Sequence, residues 1–102
     1  MITVEPQFTY FEGFIMKGHA DYDEAGKDIV CASASFLAQS IGQHVHQMVK
    51  SRFIAKPGYT ELIIYAQDDS TNVLMNFFVT AMESLAAAYP DNIQFEFTQM
   101  SR

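Results

Sequence analysis

The first part of the chain follows the two-residue alternation of apolar and polar positions that is typical of β-strands. Apolar residues alternate with polar ones over Ile2–Glu5 and predict a first strand, which Pro6 is expected to end or to place at a sheet edge. An aromatic and β-branched run over 8–16 predicts a second strand that ends at Gly18. Gly13 within that run predicts a bulge or a close backbone contact. The chain is therefore expected to begin with two strands.

After residue 28 the apolar positions recur every three or four residues, which is the period of an α-helix. They predict a helix from an N-cap at Asp28 to about Val49. Lys50 and Arg52 follow, where positive charge is favourable beside the C-terminus of a helix. The predicted apolar stripe consists of Val30, Ala34, Leu37, Ile41, Val45 and Met48.

A β-hairpin is predicted in the middle of the chain and a single strand near its end. The runs 53–55 and 60–66 are mostly apolar, and Lys56-Pro57-Gly58 between them has the residue types of a tight turn. Apolar positions alternate again over 92–97 and predict the last strand. The residues on its apolar face are Ile93, Phe95 and Phe97.

A second helix is predicted from a cap at Ser70 or Thr71 to about Tyr89, and Pro90 ends it. It is apolar on most of its faces, which predicts that it is fully buried or contacts another subunit. The element order is thus ββαββαβ. The expected fold class is α+β, a two-layer sandwich with two helices packed on one face of a mostly antiparallel sheet, in a single domain over residues 1–102.

Composition and charge narrow the classes of function. The chain has 102 residues and a net charge of −6, with only six scattered Lys and Arg, so we expect no nucleic-acid binding. Neither a signal peptide nor an apolar run long enough to cross a membrane is present, and the expected location is the cytoplasm. An apolar share of 49% beside a charged share of 18% is compatible with contact with another chain or with a tightly packed monomer. One cysteine excludes a disulfide framework and a cysteine-rich metal site, and nothing in the pattern requires a cofactor.

That one cysteine, Cys31, falls in the first turn of the first predicted helix. Unpaired amides and the positive end of the helix dipole favour a thiolate there, and the same amides could stabilise an oxyanion. His19 stands at a strand end, and the loop over Asp21–Lys27 could bring it near Cys31 to act as base and acid. Asp28 could orient His19, and Ser35 lies one helical turn beyond Cys31 on the same face.

Each of these residues also has an ordinary structural explanation. A cysteine near a helix start is usually a small buried apolar residue, and a histidine at a strand end is usually a surface group. By spacing alone, Asp28 is a helix cap and Ser35 is a packed small residue. The residue chemistry by itself therefore leaves a Cys–His site and a purely structural role both open.

Three other residues have side chains that could bind a metal ion or contact a substrate. His44 and His46 are two residues apart on the predicted helix, so they face different directions and do not form a zinc pair. We interpret them as surface residues. Tyr22 lies in the acidic loop and could contact a substrate, or could simply be exposed.

The motif that decides between these alternatives has two parts. Gly18-His19-Ala20 comes first, then Gly26, and then Asp28-Ile29-Val30-Cys31-Ala32 with Ser35 four residues after the cysteine. Both parts and their spacing resemble the ribosomal-processing cysteine proteases of the Prp family. The resemblance implies that Cys31 is the nucleophile, that His19 is its base and acid, and that Asp28 supports the pair. Substrate contacts are then expected at Gly18, Tyr22, Gly26 and Ser35.

The resemblance also implies a fold, an assembly and a substrate. Members of the family are small α/β sandwiches that form homodimers and remove the N-terminal extension of a large-subunit ribosomal protein precursor. The expected function is thus a cytosolic cysteine endopeptidase whose Asp21–Lys27 loop closes over the peptide. The expected partners are that precursor and a second copy of the chain, without metal, cofactor, nucleic acid or membrane.

Two alternatives remain for the function. Relatives of this family occur in phages, where a capsid or scaffold precursor would be the substrate. A dimeric binding module that has kept the fold without catalysis is the other. The chain departs from the family pattern at Ser33–Leu37 and in a shorter N-terminal hairpin, and both departures leave the choice of precursor open.

Overall fold

A computed structural model describes residues 1–8, 11–24 and 27–96. This part of the chain forms five strands and two helices in the predicted ββαββαβ order. The elements are β1 Ile2–Gln7, β2 Glu12–Lys17, α1 Ile29–Met48, β3 Ser51–Lys56, β4 Tyr59–Ile64, α2 Asp69–Ala88 and β5 Ile93–Phe95.

The strands form one sheet with the order β3-β4-β2-β1-β5. Neighbouring strands are antiparallel except β1 and β5, which run parallel. The predicted fold class, α+β with two helices on a mostly antiparallel sheet, is therefore confirmed.

The core lies between the helices and the sheet face from which every second strand residue projects. Phe14 of β2 stacks on Phe78 of α2, with ring centroids 4.0 Å apart and planes 14° from parallel. Burial of such large apolar side chains supplies the main driving force for folding. The buried core also contains Ile2, Val4, Val30, Val45, Leu62, Ile64, Met75, Met82 and Ile93.

The first two strands differ from their predicted bounds. Pro6 does not end β1, since it pairs opposite Phe14 within the strand. The register between β1 and β5 ends at Val4 in the described part of the chain, so no described residue of β5 pairs with Pro6, which has no N–H to donate. The second strand begins at Glu12 and not at residue 8, and residues 9–10 of its predicted run lie outside the described part.

Gly13 makes the close backbone contact that was one of its two predicted roles. It lies opposite Ile63 of β4 and has a φ of 151°. A Cβ atom at this position would be 2.0 Å from the carbonyl oxygen of Leu62, so only glycine fits between the two strands.

Helix α1 begins as predicted, with Asp28 as its N-cap. Its buried face is formed by Val30, Ala34 and Ile41 among others, but Met48 is exposed and does not belong to it. Arg52 lies beyond the helix in β3 and forms an ion pair with Glu61 at 2.9 Å, so it does not serve the helix end as predicted.

Helix α2 starts earlier than predicted and has a clear exposed face. Its N-cap is Asp68 and not Ser70 or Thr71; Thr71 instead completes a reciprocal capping box with Asp68. One face is buried, whereas Val73 and Phe77 are exposed by 65% and 57%, so the helix is not fully enclosed in this chain. Neither helix is long and apolar enough for a membrane span, as judged on the described residues. The predicted extension of the last strand to Phe97 lies outside them.

Candidate active site

His19 is presented to the surface by two anchored neighbours. Gly18, which has a φ of 96°, donates its N–H to the carbonyl oxygen of Gly58 at 2.9 Å. Ala20 is buried, and its carbonyl oxygen accepts a hydrogen bond from Asn92 Nδ2 at 3.0 Å. The backbone on both sides of His19 is therefore fixed while its imidazole remains exposed.

The carboxylate of Asp28 joins the start of α1 to the preceding loop. Its Oδ1 accepts the N–H of Cys31 at 2.8 Å, which is the N-cap bond. Its Oδ2 accepts the N–H of Tyr22 at 2.9 Å and that of Asp23 at 3.4 Å. Partial burial alone would raise the pKa of this carboxyl group, but the hydrogen bonds from the amides outweigh it and hold the pKa below its ordinary value of 3.8.

This arrangement corrects one expectation about the helix start. The amide of Cys31 was expected to be free for an oxyanion, but it is already bonded to Asp28. The carboxylate of Asp28 makes no hydrogen bond to His19 within the described residues. Its geometry is that of a helix cap, and a role in orienting the imidazole stays a prediction.

Two cavities meet at the thiol and the imidazole. One has a volume of about 440 Å³ and the other about 350 Å³, and Cys31, His19 and Ser35 line both of them. A half-buried thiol and an exposed imidazole thus border both of these adjoining cavities, which together form the cleft. The first cavity is also lined by Asp21, Asp23, Asp28 and Ala32, and the second by Gly18, Gln39, Lys56, Gly58, Tyr59 and Thr60 among others.

The remaining predicted site residues occupy different positions around this cleft. Ser35 lies between the cavities, and Gly18 lines the second of them. Tyr22 lines neither cavity; its ring packs edge-on against Tyr89 with centroids 5.2 Å apart. Gly26 lies outside the described residues.

Two residues that bind the backbone on either side of His19 were not identified from the sequence. Gly58 was assigned only to a turn, although that turn forms a wall of the second cavity. Asn92 is 72 residues from the carbonyl that it binds, and no local pattern indicates such a contact.

The described part of the chain contains no group of three His, Cys, Asp or Glu side chains that could hold a metal ion. The two histidines on α1 are exposed, and His46 Nδ1 lies 2.8 Å from Ser51 Oγ. This contact gives His46 a role at the end of the helix, away from the cleft.

The family model described as cysteine protease Prp matches residues 1–94, and the chain belongs to this family of cysteine proteases. The cleft that joins Cys31 and His19 is thus found in a chain whose family is defined by thiol-dependent proteolysis.

Solved structures of low sequence identity share the fold. The ribosomal processing protease Prp from S. aureus, with a covalently linked product peptide, is 24% identical with a TM-score of 0.79 over 96% of this chain and 100% of that one. The same protease with a substrate peptide is also 24% identical, with a TM-score of 0.74 over 96% of this chain and 100% of that one. SMU.848 from Streptococcus mutans is 22% identical with a TM-score of 0.67 over 95% of this chain and 91% of that one. No curated protein matches the sequence.

Proposed function

We propose that this cysteine protease uses Cys31 as its nucleophile and His19 as its general base and acid. The observation that supports the assignment is that the chain's one cysteine and His19 line the same two cavities at the start of α1. A nucleophilic cysteine needs both access to substrate and a base close by, and this cleft offers both.

Hydrolysis of the peptide bond then takes four steps. The imidazole of His19 takes the proton of the Cys31 thiol, and the thiolate attacks the scissile carbonyl carbon. The tetrahedral intermediate collapses as the C–N bond breaks, and the imidazolium of His19 gives its proton to the leaving amine. Water, deprotonated by His19, attacks the thioester. Cleavage of the C–S bond releases the carboxylate product and restores the thiol.

We propose a ribosomal protein precursor as the substrate, with removal of its N-terminal extension. Support comes from the family and from the similarity to a ribosomal processing protease that binds a substrate peptide and a product peptide. Such a substrate is made in the cytoplasm, where one free thiol stays reduced. We also propose that the chain works there as a homodimer.

The test is cleavage of a purified ribosomal protein precursor, followed by mass spectrometry of its N-terminus. Wild type is expected to yield one new N-terminus, and Cys31→Ala none, because no other side chain can replace the nucleophile. Ser33→Ala is the matched control, since Ser33 is exposed in the same helical turn and its hydroxyl donates only to Ile29 O.

Ser33→Ala is expected to cleave at the wild-type rate. Equal cleavage by wild type and Cys31→Ala would disprove the assigned nucleophile. Failure of wild type to cut this precursor, while it cuts another protein in a Cys31-dependent way, would overturn the proposed substrate and leave the site assignment standing.

A further inference from the structure

The turn between β3 and β4 touches the imidazole of His19 through a glycine. Gly58 has a φ of 73°, and a Cβ atom added to it would be 2.9 Å from His19 Nε2 and 3.3 Å from Cε1. The ring therefore lies where a side chain at position 58 would be, with its Nε2 edge nearest. We propose that Gly58 is a positioning residue for His19: the missing side chain creates the space that holds the imidazole in its reactive place. This inference rests on the proposed role of His19.

The turn cannot move away from the ring without breaking other bonds. The carbonyl oxygen of Gly58 accepts the N–H of Gly18, the residue directly before His19, at 2.9 Å. The register between β2 and β4 ends in the pair Lys17 and Tyr59, next to this bond. Gly58 and the backbone of His19 are thus fixed relative to each other, and only the imidazole is free to turn.

A Cβ atom at position 58 must consequently displace the ring. Contacts below 3.0 Å to a Cβ atom essentially do not occur, and the exposed His19 side chain can rotate where the paired backbone cannot. Rotation carries Nε2 away from its position over the turn. A displacement of a catalytic group by about 1 Å lowers turnover by as much as about 100-fold.

The experiment compares Gly58→Ala with wild type in steady-state cleavage of the precursor peptide. We expect kcat to fall by about 10-fold to 100-fold, because a displaced imidazole transfers the proton poorly, while KM changes little. Gly42→Ala is the control for a new Cβ atom against a ring, without the positive φ of Gly58. A Cβ atom there would also strike a ring, since Phe53 Cε1 would be 2.2 Å away, but this contact lies on α1 about three turns beyond Cys31. Its kcat is expected to stay at the wild-type value at a temperature where both variants are folded.

A double-mutant cycle separates positioning from general damage to the fold. The readout is the rate at which iodoacetamide alkylates Cys31, which stays measurable when cleavage is lost. Gly58→Ala is expected to slow alkylation in the wild-type background and to have no effect in the His19→Ala background, where no ring remains to be displaced.

Three outcomes show whether the positioning role or the active-site assignment is wrong. An unchanged kcat for Gly58→Ala, with cleavage lost in His19→Ala, overturns the positioning role alone. An equal slowing of alkylation in both backgrounds also overturns it, because the effect would then not pass through His19. Full cleavage by His19→Ala overturns the proposed active site itself.

Discussion

Single residues at this site perform more than one structural task, and Asp28 is the clearest case. Its two carboxylate oxygens accept backbone amides on both sides of it in sequence, those of Tyr22 and Asp23 before it and that of Cys31 after it. A charged acceptor forms stronger hydrogen bonds than a neutral one. The ionised form of Asp28 is therefore what holds the loop and the helix start together.

Replacing this carboxylate by an amide is expected to destabilise the protein in a pH-dependent way. The folded-state pKa of Asp28 lies below its unfolded value, so the stabilising contribution is present above about pH 4 and is lost as the pH falls through the folded pKa. Asp28→Asn should lower the denaturation midpoint at pH 7, and its difference from wild type should shrink steadily in acid. Urea titrations at a series of pH values measure this.

Asp91→Asn is the control, because Asp91 is an exposed residue of the turn before β5. It should leave the midpoint near that of wild type at every pH. A difference between Asp28→Asn and wild type that is constant from neutral pH into acid would contradict the prediction, since it would not depend on the charge.

At the scale of whole elements, the sequence predicted the types and order of the helices and strands but not all of their ends. The cap and first residues of α2 read Asp68-Asp69-Ser70-Thr71, and every one of these residue types is a good N-cap. Which residue is the N-cap depends on which two residues can exchange hydrogen bonds between the side chain of one and the backbone N–H of the other. Here Thr71 N donates to Asp68 Oδ1 at 2.9 Å, and Asp68 N donates to Thr71 Oγ1 at 2.8 Å. Composition cannot reveal such a pairing.

The correct cap can be checked by stability. Asp68→Ala should lower the free energy of unfolding by about 1 kcal/mol, because it removes an acceptor from the first turn of α2. Ser70→Ala should change it by less than about 0.5 kcal/mol, as an exposed residue with no capping role. Chemical denaturation of the two variants measures both values, and a larger loss in Ser70→Ala than in Asp68→Ala would contradict the assignment.

The Asp21–Lys27 loop was expected to close over a peptide, and the structure narrows how it could do so. The amides of Tyr22 and Asp23 are bonded to Asp28, and the Tyr22 ring packs on Tyr89 at the end of α2. The first half of the loop is thus attached to the fold. Closure of the loop over a substrate stays a prediction.

For the whole molecule, one exposed apolar surface is on α2. Val73 and Phe77 lie one helical turn apart and are among the most exposed large apolar side chains of the described residues. No Lys, Arg, Asp or Glu occurs between Asp69 and Glu83, so this part of the helix carries no charge. An uncharged apolar face is suited to a contact between subunits, in line with the proposed homodimer.

The proposed dimer is expected to depend on Phe77. In a two-fold contact each substitution counts twice, and burial of a phenylalanine side chain stabilises by about 1.5–3 kcal/mol. Phe77→Gln should therefore weaken dimerisation by about 100-fold or more. Sedimentation equilibrium of wild type and variant measures the dissociation constants.

Phe36→Gln is the control for that measurement, because Phe36 is exposed by 75% on the other helix, α1. It should leave the dissociation constant unchanged. A wild-type protein that sediments as a monomer at high concentration would contradict the proposed dimer. A dimer that Phe77→Gln does not weaken would place the contact elsewhere.

The relations between distant parts of the chain were the least predictable from the sequence. Helix period and turn chemistry placed Cys31 at the start of α1 and Gly58 in a turn, both of which the structure confirms in position. The contact between Gly58 and the imidazole of His19, and the bond from Asn92 to Ala20, depend on the order of strands in the sheet. Local patterns do not encode that order, so the Cys–His pair was predicted from the family motif, whereas these two contacts were not predicted at all.

The bonds of Asp28 have one more consequence, for how the enzyme can change over evolutionary time. Because a single carboxylate binds the amides of both Tyr22 and Cys31, a substitution at Asp28 reaches the loop and the helix start together. A substitution of the exposed Glu24 removes neither of these bonds. We therefore expect that, among descendants of this enzyme, substitutions accumulate at Glu24 before they accumulate at Asp28.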